Sequence, residues 1–125
     1  MSVVEQVTEF HEVYGCPIRT QPDANVPEAE MRYELIREEF AELRVAIDER
    51  DIIEIADALG DLLYVIYGAA LTFGIDLDAV VSEIHRSNLS KLASDGSVLK
   101  REDGKILKGP RFFRPDLATV LGVTK

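Results

Sequence analysis

Apolar side chains recur along this chain at the three- and four-residue spacing of helices rather than at alternate positions. Val4, Val7, Phe10, His11 and Tyr14 form a first stripe, and Gly15, Cys16 and Pro17 end it with turn chemistry. Residues 18–26 make a polar, Pro-containing connection. Pro27, followed by Glu28 and Glu30, opens a second helix with acids at its positive end. Tyr33, Ile36, Phe40, Leu43 and Ile47 carry its stripe to Asp48.

The run Asp48, Glu49, Arg50, Asp51 is the one plausible turn before a third helix over 52–73, which Gly74 closes as a C-cap. Helices two and three are therefore predicted to form an antiparallel hairpin. A fourth helix starts with Asp76 or Asp78 as N-cap and carries Leu77, Val80, Val81 and Ile84 on one face. It is expected to end at the Ser94, Asp95, Gly96 turn. Beyond it, Val98, Leu99 and Ile106, Leu107 flank Asp103 and Gly104, the pattern of a short hairpin or ordered loop, and a last helical turn follows Pro115. The expected fold is all-α, an antiparallel bundle of four helices in a single domain over 1–125.

At 125 residues, 46% hydrophobic and 30% charged, the chain has the makings of an ordinary globular core and needs no disulfides. The lone Cys16 has no internal partner, and no charged, apolar signal segment stands at the start, so a reducing, cytoplasmic compartment is expected. Residues 58–75 carry one charge, Asp61. That aspartate, Gly60, Gly68 and two tyrosines argue against a membrane span. A helix apolar on nearly every side is instead a buried one, which in so small a chain calls for a second subunit.

The net charge of −9 is unevenly placed: residues 1–85 hold 5 basic and 19 acidic side chains, residues 86–125 hold 9 basic and 4 acidic. Most of the surface should repel phosphate, which argues against a nucleic-acid polymer as partner. A small phosphorylated ligand is compatible, with carboxylates holding metal and the basic tail meeting phosphate.

On helical geometry Glu39 and Glu42 share a row with Leu35 and Ala46, with Glu38 further round next to Glu42. On the third helix Glu54, Asp57 and Asp61 share another. A turn near residue 50 sets Glu42 across from Asp57, and Glu38 and Glu39 across from Asp61, leaving Glu54 peripheral. Carboxylates converging in this way repel by about 4 kcal/mol per pair at an effective dielectric of about 20, so a cation is expected among them. Oxygen-only donors favour Mg²⁺, with Mn²⁺ second.

The fourth helix offers a complement, because its apolar row continues into Asn88 and Lys91. Arg86, Lys105, Lys108 and Arg111 add basic groups for phosphate. Phe10, His11 and Tyr14 are candidates to stack on a base. The chain has no G-x-x-x-x-G-K-[ST], no G-x-G-x-x-G and no H-E-x-x-H.

The segments "LIREEFAEL", "EIADALGDLLYVIYGAALTFGID", "EIHRSNLSKL" and "DGKILKGPRFFRPDL" resemble the MazG-like, phosphoribosyl-ATP pyrophosphohydrolase-like members of the all-α nucleoside triphosphate pyrophosphatase superfamily. The likeness runs from Phe10 to Leu121. It implies a helical bundle that dimerises or forms a dimer of dimers, Mg²⁺ held between two helices, and hydrolysis of a nucleoside triphosphate to the monophosphate and pyrophosphate. The family's first acidic motif falls on Glu39 and Glu42, with Glu38 matching a further acid in some members. Its second is ambiguous: Glu54 and Asp57 fit the spelling, whereas aligning "DLLYV" sets the aspartate on Asp61 and the glutamate on Ala58. The facing-helix geometry selects Asp57 and Asp61.

Together these readings give an Mg²⁺-dependent nucleotide pyrophosphohydrolase, with dUTP or other canonical and damaged nucleotides as substrates. Its metal ligands are Glu39, Glu42, Asp57 and Asp61, helped by Glu38. Glu38 or Glu39 is the general base, and Asn88, Lys91, Arg86, Lys105 and Lys108 face the phosphates. Phosphoribosyl-ATP hydrolysis and a non-catalytic helical dimer that binds nucleotide or protein are the alternatives.

Overall fold

The computed structural model describes residues 1–124. They are all-α: α1 Val3–Tyr14, α2 Ala29–Glu49, α3 Ile52–Phe73, α4 Leu77–Leu89 and a short α5 Leu117–Leu121. The chain divides into two compact units, one of Met1–Asp76 and the other from Leu77 onward. Among the described residues no single helix is long and apolar enough to cross a membrane.

In the first unit α2 and α3 pack against each other and α1 lies on α3. Local chemistry sets each boundary. Ser2 and Glu5 form a capping box at α1, and Gly15 closes that helix with φ 71°. The α2–α3 turn is a single left-handed residue, Arg50 at φ 57°, followed by Asp51, whose carboxylate accepts from the N–H groups of Ile53 and Glu54. Gly74 ends α3 at φ 72°. The connection between α1 and α2 is tied down over that end: Arg19 and Asp23 donate backbone N–H groups to the carbonyls of Leu71 and Phe73. The Arg19 guanidinium also bonds the Thr72 carbonyl at 2.8 Å and both Glu28 oxygens at 3.2 Å.

The α2 stripe differs from expectation. Tyr33 and Phe40 are 60% and 65% exposed, and the buried α2 residues are Arg32 and Ala46. Small residues are among those buried in this unit, Ala46 on α2 and Ala58, Gly68 and Ala70 on α3. The row turned inward is therefore the one through Arg32, Glu39, Leu43 and Ala46, not the one bearing the large rings.

In the second unit α4 and α5 pack together. α4 ends at Leu89, short of the expected Ser94, because the next N–H groups turn back by three residues: Ser90 to Ser87 and Lys91 to Asn88. The returning chain then takes the Lys91 carbonyl through the Gly109 N–H at 2.8 Å. The expected hairpin is an isolated antiparallel bridge, Lys100 to Ile106, around Gly104 at φ 88°; no strand forms among the described residues. Asp116 caps α5 through the Thr119 N–H, one residue after Pro115.

Candidate metal centre

Glu39 and Glu42 are three residues apart on α2 and project from one face, and Asp61 comes from the facing helix. One carboxylate oxygen from each of the three lies within 4.8 Å of the others. Two unit charges at that distance repel by roughly 3–4 kcal/mol at an effective dielectric of about 20. Glu39 is half-buried, Glu42 and Asp61 are exposed, and Glu39 Oε2 is buried without a hydrogen-bond partner. Burial first, then the charges of Glu42 and Asp61, a hydrogen bond with Glu42 and the charge of Asp57 hold the Glu39 carboxyl above the usual range. An orphaned carboxylate oxygen facing two further acids is a donor set suited to a hard divalent cation.

Asp57, one turn before Asp61, contributes charge to Glu39 and stands outside the group of three. Glu38 is exposed, and its charge acts on Arg37, which is paired with Glu34 at 2.8 Å. Glu54 lies nearer the turn, where with Ala41, Glu42, Val45, Ala46 and Glu49 it lines an open cavity of about 310 Å³.

On α1 the three aromatic candidates separate. Phe10 and Tyr14 are exposed with ring centroids 4.5 Å apart, and Phe10 meets the edge of Tyr64 at 5.7 Å. His11 turns inward and is 2% exposed. Its Nδ1–H donates to the Pro17 carbonyl at 3.0 Å, which leaves Nε2 to accept from Arg32 Nη2 at 3.3 Å. Burial is the main cause that lowers its pKa, and the Arg32 charge adds to it. Arg32 itself escaped the sequence reading. The available signal was its place on the inward row, seven residues before Glu39.

The basic candidates lie in the second unit. Arg86 is held by both oxygens of Glu83, at 2.7 and 3.1 Å, and its guanidinium sits 4.4 Å over the Phe113 ring. Asn88 and half-buried Lys91 line an apolar cavity of about 210 Å³ with Leu89, Leu92, Val98, Leu99 and Ile106. Lys108 Nζ is 5.0 Å from the Phe112 ring, and Lys105 is exposed at the hairpin turn.

Comparison with known proteins matches residues 7–88 to the phosphoribosyl-ATP pyrophosphohydrolase family. The chain is also 37% identical over 103 residues to an uncharacterized protein of Acanthamoeba polyphaga mimivirus, covering 77% of this chain and 41% of that protein. It thus spans about two fifths of that relative's length. The family match takes in α2 and α3 whole, and with them Glu39, Glu42 and Asp61. By that match the chain belongs to the phosphoribosyl-ATP pyrophosphohydrolase family, within the all-α, MazG-like nucleoside triphosphate pyrophosphatases.

Proposed function

We propose that this protein is an Mg²⁺-dependent nucleoside triphosphate pyrophosphohydrolase that converts dUTP or other canonical and damaged nucleotides to the monophosphate and pyrophosphate. The observation that carries the reading is the Glu39, Glu42, Asp61 group with its unpartnered Glu39 oxygen, in a chain of a pyrophosphohydrolase family. These three residues would hold Mg²⁺, with Asp57 and Glu38 completing the acidic surroundings. When bound, the ion neutralises phosphate charge and acidifies water.

The protein's own part is to orient the nucleophile. Half-buried Glu39, or Glu38 beside it, takes the proton of the attacking water as the phosphoanhydride breaks. Phe10 and Tyr14 offer open aromatic faces to a base, and Lys91, Lys105 and Lys108 carry charge of the sign that suits phosphate. The apolar side chains left exposed on α2 and α3, among them Phe40, Leu59 and Leu63, support a homodimer or dimer of dimers. A cytoplasmic setting suits the free Cys16.

A second reading, phosphoribosyl-ATP hydrolysis, is favoured by the family match. Pyrophosphate release at millimolar Mg²⁺ from a panel containing dUTP, the common nucleotides and phosphoribosyl-ATP decides between them. Turnover of dUTP supports the first reading, and turnover of phosphoribosyl-ATP alone selects the second. No turnover of any member overturns the enzyme and leaves a non-catalytic helical dimer that binds nucleotide or protein.

A further inference from the structure

Arg32 occupies the inward row of α2 and is 6% exposed, yet its guanidinium has no ion-pair partner among the described residues. Glu28, one turn earlier, gives both oxygens to Arg19. Nη2 donates to His11 Nε2, and Nε is buried without a partner. Nη1 lies against α3 where Gly68 has no side chain: a Cβ there would stand 2.7 Å from Nη1 and 3.2 Å from His11 Nε2.

Three helices thus close around a guanidinium that makes no ion pair among the described residues, with the Glu28 charge acting on it from one turn away. Pro17 fixes the His11 tautomer so that Nε2 accepts, and Gly68 makes room. Burying an unpaired charge opposes folding, so such an arrangement serves stability poorly and a ligand well.

Its position points to the ligand. Arg32 precedes Glu39 by seven residues and Gly68 follows Asp61 by seven, so on antiparallel helices both steps lead to the same end of the hairpin. Seven residues at about 1.5 Å each set the backbone of Arg32 about 10 Å along α2 from that of Glu39. That is comparable with the span from the inner phosphates to the base of an extended nucleotide. Tyr64, which meets Phe10 edge-on, lies on α3 between Asp61 and Gly68.

We propose that Arg32 is a nucleobase-recognition residue whose remaining guanidinium donors take a carbonyl oxygen of the base, while the phosphates lie at the Glu39, Glu42, Asp61 group. The proposal rests on the nucleotide reading above and sharpens it. Uracil, thymine, cytosine and guanine carry such a carbonyl and adenine carries none, so the substrate class is the oxo-substituted bases.

The test is calorimetric binding in Mg²⁺ to α,β-imido analogues of dUTP and dATP and to tripolyphosphate, for the wild type and Arg32→Met, with thermal unfolding of both metal-free proteins. Arg32→Met is expected to bind the dUTP analogue about ten- to a hundredfold more weakly, in line with loss of a charged hydrogen bond, and to bind tripolyphosphate unchanged. Its melting temperature should equal or exceed that of the wild type, because an unpaired buried charge is gone. Unchanged affinity for the dUTP analogue overturns the proposal. So does equal weakening toward tripolyphosphate, which makes Arg32 a phosphate ligand, and so does a variant that fails to fold, which makes the guanidinium structural. Wild-type binding of the dUTP analogue without turnover of dUTP would remove the hydrolase and leave the Arg32 assignment standing.

Discussion

Glu39 on α2 and Asp61 on α3 bring carboxylate oxygens within 4.8 Å of each other from helices that run in opposite directions out of the turn at Arg50. Neither residue is near the other in sequence, and the pair exists only because that turn sets the register. Their mutual repulsion makes the metal-free hairpin less stable than it would be with a cation between them.

A cation that binds only the folded state raises its stability by about 2.7 kcal/mol at a hundredfold excess over Kd, a rise on the order of 5–10 °C in Tm. Mg²⁺ is expected to raise the melting temperature by this order, and Glu42→Gln to abolish the rise. An unchanged response in Glu42→Gln, followed by scanning calorimetry, places the cation elsewhere.

The acids should rank by their distance from the group. Glu39→Gln and Asp61→Asn are expected to lose more than about a hundredfold in kcat, and Asp57→Asn about ten- to a hundredfold, as a neighbour that supports the ligands. Glu54→Gln, in the cavity nearer the turn, should change it only a few-fold. Steady-state pyrophosphate release measures all four, and greatest sensitivity at Glu54 would sink the assignment of Asp61.

His11 makes stability depend on pH. Burial lowers its pKa from 6.5, so above pH 6.5 it is neutral whether folded or unfolded and its contribution is fully present. Below that value the unfolded chain binds a proton that the folded chain refuses. Stability is then lost as pH falls from 6.5 toward the lowered native value, with a slope of at most about 1.4 kcal/mol per pH unit. Denaturant melts across this window should show the fall, and His11→Gln, which keeps a donor and an acceptor without titrating, should flatten it.

Two glycines of α3 and its cap should respond oppositely to alanine. At Gly74 a Cβ would stand 2.2 Å from the Gln21 carbonyl oxygen, on a backbone at φ +72°, so Gly74→Ala is expected to cost about 2–4 kcal/mol. At Gly60 nothing lies within 4 Å, and Gly60→Ala should stabilise the helix by about 0.5–1 kcal/mol. Chemical denaturation of the pair checks both signs.

Much of this architecture is written locally. Gly15, Asp51 and Gly74 mark helix ends by chemistry that acts within a few residues, and the Arg50 turn follows from a polar run between two apolar stripes. Because that turn is short, the meeting of α2 acids with α3 acids is legible too, and Glu39 and Asp61 fall where simple register places them. The family likeness in the acidic segments carries the same information.

Other features have no local cause. Which row of α2 is turned inward is decided by its packing with α3, where the buried residues are Arg32 and Ala46 and the rings of Tyr33 and Phe40 stay exposed. The Lys91 carbonyl, two residues past the end of α4, is taken by Gly109, eighteen residues further along the chain. Arg32 reads as one more surface arginine beside Glu28 and Glu30 until α1 supplies His11 and α3 withholds a side chain at Gly68. Local pattern thus determines where helices begin, end and turn, because capping and periodicity are properties of neighbouring residues. Only packing decides which charges are left buried and unpaired, because desolvation is imposed by residues distant in the chain.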